Sequence, residues 1–118
     1  MQLHDYPGAI AQLQYQLLNL NQQIEKISQS INRICNQFEA QVAFDPELKN
    51  DQQRKAKKTE LIRQSGDYES LSSAIAKETF KRSQVEIQLE QLKSEFSVLR
   101  LLKREAIARM EAQTEIGV

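Results

Sequence analysis

LHDYPGAIAQLQYQLLNLNQQIEKISQSINRICNQF, residues 3–38, is the stretch that decides the fold. Apolar residues recur along it at alternating steps of three and four: Leu3, Tyr6, Ile10, Leu13, Leu17, Leu20, Ile24, Ile27, Ile31, Ile34 and Phe38. That is a heptad seam, unbroken over about five heptads, and it predicts a coiled-coil helix. The rest of the chain must supply partners for it.

The flanks of the seam say what kind of partner. With Ile10, Leu17, Ile24, Ile31 and Phe38 at a, the e positions are Gln14, Asn21, Ser28 and Cys35, and the g positions are Gln16, Gln23, Ser30 and Gln37. None is charged, whereas a simple parallel dimer uses charged e and g residues to choose its partner. The charges Asp5, Glu25, Lys26, Arg33 and Glu39 fall only on b and c. A buried face wider than a and d, as in a bundle of three or more helices, accounts for this; so does an ordinary polar helix surface. Ile10, Leu17, Ile24 and Ile31 are candidate residues of an interface with another copy or a partner helix.

Working outward, Pro7 is tolerated in a first helical turn and Asp5 is placed to cap it. The first helix is expected over about residues 8–44. Phe44-Asp45-Pro46-Glu47 reads as a stop and restart, with Asp45 as N-cap and Pro46 at the first helical position. The middle helix, about 46–64, has little to bury beyond Leu48, Ala56, Leu61 and Ile62. It carries six cations, Lys49, Arg54, Lys55, Lys57, Lys58 and Arg63, against Glu47, Asp51 and Glu60, a local net charge of six minus three, +3.

Ser65-Gly66-Asp67 is the next break, with Gly66 suited to end the middle helix and Asp67 to cap the next. The third helix is expected over about 68–111, with residues 113–118 as a frayed tail. Its seam runs Tyr68, Leu71, Ile75, Glu78, Arg82, Val85, Leu89, Leu92, Phe96, Leu99, Lys103, Ala106 and Met110. Glu78 and Arg82 are spaced to pair along the helix, and Lys103 to snorkel. A second apolar stripe, Phe80, Ile87, Val98 and Leu101, widened by Leu102, lies on the other side. A helix with two apolar faces needs two neighbours, and the second is most simply another subunit.

Composition agrees. The 118 residues point to one domain, and three glycines, two prolines and no tryptophan suit long helices. Sixteen acidic and sixteen basic residues cancel, so any attraction for nucleic acid or an anionic surface must be local. The single cysteine, Cys35, excludes an intrachain disulfide. No apolar run approaches 18 residues, and Met1-Gln2-Leu3-His4 lacks the pattern of a secretory signal. The expectation is a soluble cytoplasmic protein with no membrane role.

Enzyme chemistry finds little support. His4, the one histidine, reads as an exposed residue of a helix end, because a general base needs a fixed partner and a pocket. Cys35 reads as a half-buried thiol without the electropositive setting that makes a nucleophile. Glu86 and Glu90 recur at helical spacing, but the Glu-x-x-His pattern of a di-metal bundle is absent. No cofactor, metal or small-molecule substrate is expected.

Arg54-Lys55-Ala56-Lys57-Lys58 is the strongest candidate feature. Its four cations spread over roughly 160° of a helix at 100° per residue. They suit contact with a phosphate backbone; no aromatic lies inside the cluster, and Phe44 and Tyr68 only flank it, so base stacking there would be incidental. They also suit a solvated face, partly neutralised by Asp51–Lys55, which is what a charge run usually is. The stretch Phe96 to Met110, with Arg100, Lys103, Arg104 and Arg109 against Glu105, is a basic amphipathic helix of the kind that meets partner helices, membranes or nucleic acid. It reads more simply as a coiled-coil end that oligomerises through Val98, Leu101 and Leu102, with basic residues suited to a helix C-terminus.

The run Asp45-Pro46-Glu47-Leu48-Lys49-Asn50-Asp51-Gln52-Gln53-Arg54-Lys55-Ala56, then Gly66-Asp67-Tyr68, then Glu90-x-Leu92 and Phe96-Ser97-Val98-Leu99-Arg100, resembles small coiled-coil proteins encoded in phage and mobile-element recombination modules. The likeness spans about the last two-thirds of the chain. In size, helices and basic patch the layout is similar to small helical mediators that load a recombinase on single-stranded DNA. The resemblance implies an accessory protein of DNA transactions, without catalysis.

The sequence thus predicts an all-α, long-helix coiled coil or bundle, two long helices joined by a shorter basic one, assembled as a homo-oligomer. Two functions follow. One is a non-enzymatic accessory protein of DNA recombination or repair that presents Lys49, Arg54, Lys55, Lys57, Lys58 and Arg63 to single-stranded DNA. The alternative is a scaffold that docks a partner helix on the Phe96–Met110 surface or the first seam.

Overall fold

In a computed structural model the chain is all-α. The structure describes residues 1–116, with side chains through residue 114. A short 3-10 turn, Leu3–Asp5, leads into α1 (Tyr6–Ala43); α2 (Asp51–Gln64) and α3 (Gly66–Ile116) follow. Two long helices of 38 and 51 residues are thus joined by a shorter one of 14.

The helix ends differ from the sequence expectation in instructive ways. Asp5 does not cap α1; its Oδ2 accepts the Gln2 N–H at 2.9 Å and closes the turn before it. Pro7 sits in the first turn of α1 as expected. Asp45 does not cap the middle helix. Its Oδ1 accepts the Glu47 N–H at 2.9 Å, a local turn that holds Pro46 outside any helix. The middle helix therefore begins at Asp51 rather than near Pro46. Its N-cap is Asn50, whose Oδ1 accepts the Gln53 N–H at 2.8 Å.

Ser65 alone joins α2 to α3. Its N–H donates to the Ile62 carbonyl at 3.2 Å, and its Oγ accepts the Tyr68 N–H at 3.1 Å. It takes both roles expected of Gly66 and Asp67. Gly66 lies inside α3 at ordinary helical φ, with open space where a Cβ would stand. At the other end, α3 continues through Ile116 rather than stopping near residue 111. Residues 117 and 118 of the expected frayed tail lie outside the described residues.

Contacts along the chain gather into two units, Met1–Leu18 with Ser83–Val118, and Asn19–Arg82. In the first, α1 and α3 run antiparallel. The Tyr6 ring stacks on Phe96 with centroids 5.7 Å apart, and its hydroxyl donates to Glu95 Oε2 at 3.2 Å. Farther along, Ala9 and Leu13 share a groove with Gln88 and Leu92. Tyr6 and Leu89 are buried; Leu3, Ile10, Leu13, Leu17, Val85, Leu92, Phe96 and Leu99 are half-buried. The heptad positions face inward because only they recur on one side of a 3.6-residue helix.

In the second unit α1 and α3 are again antiparallel: Arg82 Nη1 donates to Asn21 Oδ1 at 3.4 Å, and Ile34 shares a groove with Asp67 and Leu71. Leu20, Ile24, Ile27, Ile31, Ile34 and Phe38 on the seam of α1 are half-buried, and so are Tyr68, Leu71, Ile75 and Glu78 on the seam of α3. Lys81 reaches the Glu78 carboxylate at 3.3 Å. Val42 is buried at the end of α1, beside Arg54 and Lys58 of α2.

Candidate nucleic-acid interface

A 14-residue helix with few apolar side chains must still cover part of its neighbour, and α2 does so with cation stems. Its half-buried residues are Arg54, Lys57, Lys58, Leu61 and Ile62. These recur at steps of three and four and so share one face. Long basic side chains can lay their methylenes on apolar surface and keep the charge wet, which is how a helix this polar packs at all.

The six candidate cations therefore separate into two sets. Arg54, Lys57 and Lys58 lie on the half-buried face, and each has a carboxylate. Arg54 Nη1 meets Asp51 Oδ1 at 3.0 Å, Lys57 Nζ meets Glu60 Oε2 at 3.8 Å, and Lys58 Nζ meets Glu39 Oε2 of α1 at 3.7 Å. The Asp51 carboxylate is bound by Arg54, one step nearer than the expected Lys55. The second set is Lys49, Lys55 and Arg63. All three are exposed, and among the described residues none makes an ion pair. Phe44, in the turn after α1, is 86 % exposed, while Tyr68 is half-buried.

Asn50 and Gln53 are the residues that sequence reasoning missed. Gln53 Oε1 accepts the Lys49 N–H at 2.8 Å while its own N–H is capped by Asn50, so the pair reciprocates across the helix start. An Asn followed three residues later by a Gln is the signal that could have found it. The pair fixes the backbone of Lys49 next to the first turn of α2.

The apolar candidates also separate. Ile10, Leu17, Ile24 and Ile31 are half-buried on the seam of α1, each within its own unit. Phe80, Ile87, Val98, Leu101 and Leu102 are exposed on α3. From Arg100 to Thr114 every residue of α3 is exposed, including the seam residues Lys103, Ala106 and Met110. Arg100 places its guanidinium 5.4 Å from the centroid of the Phe96 ring.

The remaining chemistry-bearing side chains are placed as follows. Cys35 is half-buried with a free thiol. His4 Nε2 is 3.3 Å from Asp5 Oδ1. Burial raises the Tyr6 hydroxyl above its ordinary pKa, and the Glu95 carboxylate it bonds to adds to the rise. Among the described residues no group of three His, Cys, Asp or Glu side chains could hold a metal, and no helix is long and apolar enough to cross a membrane. No family model matches the chain, and neither a curated protein nor a solved structure matches it.

Proposed function

We propose that this protein is a non-enzymatic, oligomeric accessory protein of DNA recombination or repair that contacts the phosphates of single-stranded DNA through α2. The observation that carries the reading is the exposure, without carboxylate partners, of Lys55 and Arg63 on α2 and of Lys49 just before it, while the other cations of the helix are engaged in packing and ion pairs. Unpaired cations release counterions from a phosphate backbone without first giving up an internal contact. Phe44, standing clear of the helices beside this segment in sequence, adds a ring on which a base can stack. The resemblance to proteins of recombination modules supports the same assignment.

Anisotropy of a labelled single-stranded oligonucleotide, titrated with salt, tests this. Binding should weaken steeply as salt rises, and reversal of Lys49, Lys55 and Arg63 to Glu should abolish it with helicity unchanged. Phe44→Ala should weaken binding by about 1–3 kcal/mol, the range for removal of one stacked base. No binding at low salt, or full binding by the triple variant, overturns the proposal.

The second reading is a scaffold without a nucleic-acid role. It is favoured by the exposed apolar residues Val98, Leu101, Leu102, Ile107 and Met110, which a helix free in water does not need.

A further inference from the structure

The exposed side of α3 in the first unit carries a heptad of its own. From Gln84 it steps by three and four through Ile87, Gln91, Ser94, Val98, Leu101, Glu105 and Ala108. All eight are exposed, and no charge falls on it between Gln84 and Leu101. Ile87, Val98 and Leu101 are 67 %, 54 % and 58 % exposed. This seam is separate from the one that packs on α1, which passes through Val85, Leu89, Leu92, Phe96 and Leu99.

Charge along the same stretch changes sign at its middle. From Ser83 to Phe96 there are three carboxylates, Glu86, Glu90 and Glu95, against Lys93. From Ser97 to Met110 there are four cations, Arg100, Lys103, Arg104 and Arg109, against Glu105. Two copies laid parallel would set like charge beside like along the whole contact. Laid antiparallel about a two-fold near Phe96, the acidic half of each meets the basic half of the other, twice over. An isologous contact is self-complementary in this way.

We propose that this face of α3 is the homodimer interface, an antiparallel α3–α3 coiled coil with its two-fold axis close to Phe96. About that axis the heptad maps onto itself. Ser94 faces Val98 of the second copy, Gln91 faces Leu101, and Gln84 faces Ala108. Glu90 and Arg104 lie on the same flank of the seam and pair across it. The part of α3 from Arg100 to Thr114, exposed throughout, then gains a neighbour. The proposal deepens the oligomeric part of the reading above and rests on no nucleic-acid contact.

The test uses the full chain without DNA. Light scattering should give twice the chain mass at micromolar concentration. Val98→Asp with Leu101→Asp should return it to the chain mass with an unchanged circular dichroism spectrum, because both side chains are more than half exposed in the single chain. Orientation is read by disulfide trapping in a Cys35→Ser background. Chains carrying Gln84→Cys, mixed with chains carrying Ala108→Cys, should form the mixed disulfide, while Ala108→Cys alone should not cross-link to itself. A wild-type mass of one chain, an unaltered mass in the double variant, or self-linked Ala108→Cys overturns the proposal. The first of these would leave the face to a different partner helix. Failure of the DNA-binding test with the dimer intact would overturn only the functional reading.

Discussion

Tyr6 joins three forces at one side chain. Its ring stacks on Phe96, its body is buried, and its hydroxyl donates to the Glu95 carboxylate. Removal from water disfavours the phenolate, and the adjacent carboxylate disfavours it further. The folded pKa thus lies above the unfolded value near 10, and folding is linked to retention of this proton. The contribution is complete below pH 10 and is lost as pH rises through the folded pKa. Thermal melts taken from pH 9 upward should show the loss. Tyr6→Phe keeps the ring on Phe96 and removes the titrating proton, so its melts should lack this alkaline component. An identical alkaline decline in both proteins would assign the effect to another group.

At the scale of the element, α2 is set by Asn50. The helix buries few apolar atoms, so its start depends on local hydrogen bonds more than on packing. Asn50→Ala leaves the Gln53 N–H without its acceptor and should cost about 1 kcal/mol, within the ~0.5–2 kcal/mol range of lost N-caps. Hydrogen exchange should quicken across Asp51–Lys55 while the seam amides of α1 hold their rates; unchanged exchange in α2 would show that packing, not the cap, holds its first turn. The same contrast explains what was legible in the sequence. The seams of α1 and α3 were readable because a period repeated over many turns leaves one face to bury, and every seam residue from Leu3 to Phe38 and from Tyr68 to Leu99 is indeed buried or half-buried. Helix ends rest on single side chains. Asp45-Pro46 and Asn50-Asp51 both offer caps, and choosing between them depends on where the turn after Ala43 points. The outward set of α2 was hidden for a related reason. Arg54, Lys55, Lys57 and Lys58 look alike in sequence, and only the position of Glu39 and Val42 on α1 decides which of them turn inward.

Across the whole molecule the formal charge is zero, so attraction for a polyanion must arise from where the charges stand. The two sets of cations on α2 and in the residues just before it make different predictions for the salt dependence of binding. On single strands each phosphate contact contributes about −0.7 to the slope of log K against log salt. Three exposed cations, Lys49, Lys55 and Arg63, give about −2 per chain, whereas all six candidates would give about −4. Two chains gripping one strand would double either figure, so the slope alone does not separate the sets. Single substitutions do, because they compare cations within one assembly. Lys55→Gln should reduce the slope by about 0.7 for each engaged chain. Lys57→Gln should leave it nearly unchanged, since that side chain is half-buried and its ammonium sits 3.8 Å from Glu60. Equal losses from the two variants would mean that Lys57 abandons Glu60 for phosphate and that α2 rotates or detaches on binding. A loss from Lys55→Gln alone would mean that the strand is read by the outward face of α2 as it stands in the free protein.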